Sequence, residues 1–155
     1  MIIAIDPGTS GCLVAVNETG IIDWLHMPVI KVGSKNRVNA AAVAAWVREH
    51  DHADHCYIEL VGAMAKGGTK QGTSSMFSFG HAAGLVEGVV SGAGIPVTLV
   101  TPQQWKKHAG LIGKDKDAAR GLCAQQYPKC REFDLKGKGQ ALADAVLIGH
   151  YGLAQ

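Results

Sequence analysis

The chain has 155 residues, of which 47% are hydrophobic and 18% are charged, and its formal net charge is +2. This length predicts a single domain, residues 1–155, that buries roughly two thirds of its unfolded surface. The four cysteines have no CxxC or zinc-ligand spacing, and no apolar run reaches the length of a bilayer span. These features disfavour a disulfide scaffold, a structural zinc site and a membrane protein, and we expect a soluble, cytoplasmic protein with reduced thiols.

Three short apolar runs at the start of the chain predict antiparallel strands, over residues 2–5, 12–16 and 21–27. A turn rich in proline and glycine after the first run sends the chain back as its own partner. A polar loop is expected at residues 31–36. Asp6 lies at the end of the first strand, where an unpaired charge is costly.

A helix and a buried strand come next. Asn39 is the expected N-cap of an alanine-rich helix that ends near Glu49. The apolar run 56–60 has the length of a strand that is buried on both faces. Because a helical crossover precedes it, this strand should lie parallel to the first, with Glu59 near its end.

The middle of the chain is rich in glycine. Residues 65–75 are too flexible for a core and too long for a tight turn, which indicates a functional loop. The helix after this loop ends near Ser91 and has a surface of small residues that another helix can approach, namely Gly80, Ala82, Ala83, Gly84 and Gly88. The remaining predictions are a strand over 96–100, a helix capped by Thr101, and helices over 115–126 and 140–151.

One acid interrupts the apolar stripe of the last helix, at Asp144. Alone, such an aspartate is more often a paired structural residue than a metal ligand. Asp6 and Glu59 reverse that balance, because two strand ends and a covering helix can meet at one edge of a sheet. Carboxylate ligands of this kind suit Mg²⁺ or Mn²⁺, and we expect two such cations.

Six short motifs follow one another along nearly the whole chain: Ile-Ala-Ile-Asp-Pro-Gly at 3–8, Tyr-Ile-Glu at 57–59, Ser-Met-Phe-Ser-Phe-Gly at 75–80, Thr-Pro-Gln-Gln-Trp-Lys-Lys at 101–107, Lys-Asp-Lys at 114–116 and Ala-Asp-Ala at 143–145. Each is weak alone, but their order and spacing are specific. On these motifs the chain resembles the RuvC-type Holliday junction resolvases of the RNase H-like superfamily, closest to their bacteriophage branch. The resemblance implies an α/β fold in which helices flank a mixed five-stranded sheet, with three antiparallel strands continued by parallel ones.

The resemblance also implies catalytic residues. Asp6, Glu59 and Asp144 match three of the family's four metal-binding acids. Lys106 and Lys116 match basic residues near the scissile phosphate, where they would stabilise developing charge.

Further residues are implied to contact DNA. An aromatic residue after a basic glycine-rich loop can wedge between bases, so one of Phe77 and Phe79 is expected to stack on DNA and the other to join the core. The implied DNA-binding residues are Lys66, Lys70, Ser75, Phe77, Phe79, Lys106, Lys107, Lys114 and Lys116.

The fourth acid of the family is missing. An Asp or His one helical turn before the last carboxylate should complete the site, and those positions hold Gln140 and Ala141. Three explanations stay open: an inactivated variant, substitution by Asp134 or His150, or reduced metal affinity. For restoring an acid, Ala141 is the better stereochemical position, because it shares a stripe with Asp144.

Two charged segments have competing interpretations. Residues 106–138 contain nine lysines and arginines against four acids, which is typical of a DNA-binding stripe and also of an ordinary solvated face. The histidines and aspartates at 50–55 superficially resemble a transition-metal site. Since they follow a helix C-terminus, a polar turn is the favoured interpretation.

The leading functional hypothesis is a homodimeric endonuclease that resolves four-way (Holliday) and related branched DNA junctions by paired, symmetrical nicks. A catalytically impaired junction-binding module is the first alternative, because of the missing acid. A fragment of an actin-like phosphotransferase is the second, because Ile-Asp-Pro-Gly-Thr-Ser-Gly also resembles the phosphate-binding hairpin of those enzymes. Length argues against it, since they need two such domains.

Overall fold

The structure is a computed structural model that describes residues 1–60, 62 and 72–155. Its elements are β1 (Ile2–Asp6), β2 (Cys12–Asn17), β3 (Gly20–His26), β4 (Val29–Val32), β5 (Lys35–Val38), α1 (Ala40–Glu49), β6 (His55–Glu59), α2 (Thr73–Gly92), β7 (Val97–Val100), α3 (Pro102–His108), α4 (Ala118–Gln126) and α5 (Lys136–Leu153). A 3₁₀ turn, Arg131–Asp134, precedes α5.

Five strands form one mixed sheet in the order β3-β2-β1-β6-β7. The first three strands are antiparallel, while β6 lies parallel to β1 and β7 lies parallel to β6. This arrangement confirms the predicted sheet. It also places the carboxyl ends of β1, β6 and β7 at one edge.

The sheet has an apolar core on each face. Side chains alternate along β1, so that Ile3 and Ile5 pack on one face with α1 and α2, while Ile2 and Ala4 pack on the other with α3, α4 and α5. Helix α5 lies so close to the sheet that a Cβ at Gly149 would stand only 2.8 Å from Val16 Cγ2. This close seating fixes the height of α5 above β1.

Both predicted helix caps are confirmed. The Asn39 side chain accepts a hydrogen bond from Ala42 N at 3.2 Å. Thr101 and Gln104 form a capping box, in which each side chain accepts from the other residue's backbone N–H. These caps satisfy backbone groups that a helix leaves open at its first turn.

The predicted polar loop at 31–36 is wrong, because β4 and β5 form an antiparallel hairpin there. Gly33 has a φ of +62°, which suits its place in the tight turn. The β-branched residues of β4 are a strand signal that the neighbouring lysines and arginine obscured.

Three predicted boundaries move. Residues 73–75 were expected in the loop and form the first turn of α2, whereas residues 63–71 lie outside the described residues. Helix α4 begins at Ala118 because Asp115 Oδ1 accepts from Asp117 N at 3.0 Å in a preceding turn. Helix α5 begins four residues earlier than predicted, and a Cβ at Gly139 would stand 2.5 Å from Glu132 O, so that glycine serves close packing.

Within the described residues, no helix combines the length and the apolar character needed to cross a bilayer.

Candidate active site

Three acids meet at one edge of the sheet. Asp6 is the last residue of β1 and Glu59 the last of β6, and the pairing of Ile5 with Ile58 makes these two acids neighbours. Because side chains alternate, both follow Ala4 and Tyr57 onto the face that α5 covers. Helix α5 supplies the third acid, Asp144.

The three acids share one electrostatic environment. Burial raises the pKa of Asp6 to about 7, with further increases from the charges of Glu59 and Asp144. Burial and then Glu59 raise the pKa of Asp144 to about 6, and this increase is opposed by Lys106 and Lys116. The predicted acids and the two predicted catalytic lysines are therefore close in space.

Trp105 connects α3 to this edge, and the sequence interpretation missed its role. Its indole Nε1 donates a hydrogen bond to Glu59 Oε1 at 2.9 Å, and its ring is 1% exposed. The Lys106 ammonium lies 5.1 Å from the centre of the Trp105 ring, which is a cation–π contact. The only sequence signal was a tryptophan inside a polar motif, since a buried indole N–H needs an acceptor.

Gln140 occupies the place of the missing fourth acid. Its Nε2 donates a hydrogen bond to Asp144 Oδ1 at 2.9 Å, from one helical turn earlier. Ala141 is 6% exposed and packs in the apolar core. Gln140 is therefore the residue of the two whose side chain contacts Asp144, and the preference for an added acid at Ala141 stays a prediction.

The two suggested substitutes for the fourth acid have other partners. Asp134 is exposed and forms an ion pair with Arg131 at 2.7 Å. His150 Nε2 is hydrogen-bonded to the Tyr127 hydroxyl at 2.7 Å. The pKa of His150 is lowered by burial and then by His108.

The chemistry of these side chains fits a hard divalent cation, although the site is not a preformed cage. Asp6, Glu59 and Asp144 provide carboxylate oxygens, and Gln140 provides an amide oxygen that solvent does not reach. In the described part of the chain, no three Asp, Glu, His or Cys side chains already form a metal-holding group. Trp105 engages one Glu59 oxygen and leaves the other available to a cation.

Two solved structures share this architecture. Thermus thermophilus RuvC matches with a TM-score of 0.60 and 21% identity, over 97% of this chain and 93% of that one. T. thermophilus RuvC in complex with Holliday junction substrate matches with a TM-score of 0.58 and 19% identity, over 97% and 92%. The chain has a RuvC-like fold. No family model and no curated protein matches the sequence.

The two aromatic residues predicted to contact DNA differ from each other in exposure. Phe77 is 64% exposed on α2. Phe79 is half-buried, and its ring covers Gly8, where a Cβ would stand 3.1 Å from Phe79 Cε2 and 3.9 Å from Asp6 Oδ1. This division matches the expectation of one packed and one available ring, with Phe77 the available one.

The remaining predicted DNA-binding residues are on the surface or outside the description. Four of these residues are exposed. Ser75 lies in the first turn of α2, Lys107 lies at the end of α3, and Lys114 and Lys116 lie in the segment before α4. Lys66 and Lys70 lie outside the described residues. Their roles stay predictions.

The polar cluster at 50–55 lies at the other end of the RuvC-like sheet, and three of its side chains have hydrogen-bond partners in the fold, two of them far away in the sequence. His50 Nδ1 bonds to Trp46 O at 2.9 Å, and His55 Nε2 bonds to the Thr98 hydroxyl at 2.8 Å. Asp54 accepts from the Met1 ammonium at 2.8 Å. These contacts agree with the interpretation as a polar turn.

Proposed function

We propose that this protein is a divalent-metal-dependent endonuclease that cuts four-way and related branched DNA junctions. The observation that carries the proposal is the group of three half-buried acids at the carboxyl edge of a RuvC-like sheet, with Lys106 and Lys116 close by. A protein of this fold, T. thermophilus RuvC, has been solved with Holliday junction substrate. Resemblance of the motifs to the phage branch favours action in the cytoplasm of a bacterial host.

Asp6, Glu59 and Asp144 would hold Mg²⁺ or Mn²⁺. Without a cation, the raised pKa values leave Asp6 and Asp144 partly protonated near neutral pH, and this is the electrostatic state that a divalent cation relieves. When bound, such cations supply an activated water and neutralise charge on the leaving oxygen. The expected products are ends with a 5′-phosphate and a 3′-hydroxyl.

Two lysines would stabilise charge on the scissile phosphate. The charges of Lys106 and Lys116 both oppose the increase in the pKa of Asp144, and this supports their placement near the acids. Neither forms an ion pair with an acid in the described ranges. Stacking of Lys106 on Trp105 restricts where its ammonium can lie, so the charge is oriented before DNA arrives.

A homodimer would supply two such sites for paired nicks, and α2 is the proposed contact. Its surface carries four exposed glycines in steps of four residues, Gly80, Gly84, Gly88 and Gly92, and a Cβ on any of them would meet nothing within 4 Å among the described residues. Ala82 is not on this face, because it is 1% exposed and packs with Val86 and Val90. The closest helix approach is therefore along the glycine row.

The test is nicking of a labelled synthetic four-way junction beside a linear duplex of the same sequence. The wild-type protein should nick the junction with Mg²⁺ or Mn²⁺, should not nick it in EDTA, and should leave the duplex intact. Asp6→Asn should bind the junction without nicking it. Equal cutting of junction and duplex, or no binding of either, would exclude the proposed activity.

A junction-binding protein with weak cleavage is the second candidate. It is favoured by the neutral Gln140 beside Asp144 and by the engagement of Glu59 with Trp105. The same gel separates the two: tight, selective junction binding without nicking at millimolar Mn²⁺ would identify the binding protein.

A further inference from the structure

We propose that the side-chain oxygen of Gln140 is itself a ligand of the divalent cation, so that a neutral amide takes the place of a fourth acid. The inference rests on the proposed function, since it concerns the same metal site. In this interpretation position 140 has not lost a metal ligand. It carries a neutral ligand in place of a negatively charged one.

The hydrogen bond to Asp144 fixes which way the amide faces. An ionised carboxylate only accepts hydrogen bonds, so when Asp144 is charged the atom that lies 2.9 Å from its Oδ1 is the Gln140 nitrogen. The Gln140 oxygen must then point away from that carboxylate oxygen. Asp144 therefore selects one of the two amide orientations.

The oxygen that results is buried and has no donor. Solvent does not reach Gln140 Oε1, and none of the side-chain or backbone groups described donates to it. Buried carbonyl oxygens normally have a partner, and leaving one unpaired is unfavourable. A cation between this oxygen and the acids would provide that partner.

An amide is also the ligand that the charges of this edge favour. Asp6, Glu59 and Asp144 already repel one another, so a fourth carboxylate would add repulsion in the metal-free protein. An amide oxygen adds a hard ligand without adding charge, and Gln carbonyls occur among the oxygen ligands of divalent cations. The expected consequence is weaker cation binding than four acids would give.

The test is Mn²⁺ affinity of the purified protein without DNA, measured by titration calorimetry and by the electron paramagnetic resonance of free Mn²⁺. Gln140→Met keeps the length of the side chain and removes the oxygen, and it should weaken Mn²⁺ binding about tenfold or more. Gln140→Glu keeps an oxygen and loses the N–H, and it should tighten binding. Gln125→Met, on the exposed surface of α4, is the matched control and should bind as the wild type does.

The Gln140→Met effect decides the proposal, because an added carboxylate at position 140 attracts a cation whether or not the wild-type amide binds it. If Gln140 only donates its N–H to Asp144, or if a water satisfies its oxygen, the Met variant binds Mn²⁺ within about twofold of the wild type, and that result overturns the proposal. Should the Met variant fail to fold, as judged by its thermal unfolding in EDTA, Gln140→Ala makes the same comparison: weaker binding supports the proposal and unchanged binding overturns it.

Failure of the inference and failure of the proposed function give different results. If the wild-type protein does not bind Mn²⁺, or binds it equally well as Asp6→Asn, the metal site itself is absent. If the wild type binds Mn²⁺ and Asp6→Asn does not, while Gln140→Met binds as the wild type does, only the role of the amide is wrong.

Discussion

Acidic residues lie at both ends of the parallel strands β1 and β6, but their burial, their partners and the direction of their pKa shifts differ. At the amino ends, exposed Asp54 accepts from the Met1 ammonium at 2.8 Å, and this contact lowers its pKa. At the carboxyl ends, Asp6 and Asp144 are half-buried, and their pKa values rise to about 7 and about 6. Neither has a basic group within ion-pair distance in the described residues.

This difference separates a structural charge from a functional one. An acid that contributes to folding lies where a partner lowers the free energy of its charged form. An acid kept in an apolar setting beside other acids lowers the stability of the folded protein, and it is retained where a ligand compensates. In the folded protein, burial and pairing distinguish these two kinds of acid.

The largest expected effect is a loss of junction nicking, and it is measured by replacing one acid at each end with its amide. Asp6→Asn should reduce junction nicking by roughly 10³-fold or more, because it removes a charged side chain that we propose as a metal ligand. Junction binding should stay the same or become tighter, since a negative charge near DNA is lost. Asp54→Asn is the control and should nick within twofold of the wild type, as measured by single-turnover cleavage on gels.

In EDTA, the contributions of Asp6 and Asp54 to the free energy of unfolding should depend on pH in opposite directions. The pKa of Asp6 is about 7 in the folded protein against an ordinary value of 3.8, so its contribution to stability is complete below pH 4 and is lost as the pH rises through 7. Asp6→Asn should therefore stabilise the metal-free protein at pH 7.5 by about 2 kcal/mol, and much less at pH 4.

Asp54 should behave in the reverse way. Its pKa is lowered in the folded protein, so its contribution is present above its ordinary pKa and is lost as the pH falls. Asp54→Asn should destabilise the protein slightly at pH 7.5 and not at pH 3. Urea unfolding at three pH values measures both variants, and the same sign of change for the two would contradict the comparison.

A smaller effect is expected from the residue that holds Glu59. Trp105→Phe keeps a large buried ring and removes the indole N–H that Glu59 accepts from. Nicking should fall about tenfold through poorer placement of Glu59, and stability should fall by about 1 kcal/mol. Trp24→Phe on β3, where the ring is 38% exposed, serves as the matched control, and equal cleavage by the two variants would remove Trp105 from the site.

The smallest effect is expected at the exposed ring of α2. Phe77→Ala should reduce junction affinity or cleavage about fivefold, which corresponds to about 1 kcal/mol, the low end of the range for base stacking on one aromatic ring. Its thermal stability should hardly change, since the ring is 64% exposed. Phe79→Ala should instead lower stability, because that ring packs on Gly8. Unchanged junction binding by Phe77→Ala would exclude stacking.

The sequence was sufficient to find the acids, because each stands alone at a strand end or on an apolar helix face. The apolar runs and the crossover helix also predicted the first three strands and the parallel strand β6, whereas the mixed five-stranded sheet was implied by the resemblance of the motifs. Contacts between residues that are far apart in the sequence could not be predicted from the sequence. The partner of Trp105 is 46 positions away, at Glu59, and nothing in the local pattern marks the pair.

The contact between Gln140 and Asp144 was beyond the sequence for a related reason. Helical periodicity shows that Gln140 and Ala141 both lie one turn before Asp144, but it does not show how α5 rotates against the sheet. The packing of α5 buries Ala141 in the core and leaves Gln140 beside the acid. Rotation of a helix on a sheet depends on both surfaces, such as Gly149 against Val16, and not on the helix alone.

The central claim, that the acids at the carboxyl edge exist to bind a divalent cation, is tested most directly by anomalous diffraction from crystals grown with Mn²⁺. We predict an anomalous peak within roughly 2.0–2.6 Å of carboxylate oxygens of both Asp6 and Asp144. That peak should be absent from crystals of Asp6→Asn. A fully occupied Mn²⁺ elsewhere on the protein, with none between Asp6 and Asp144, would contradict the account.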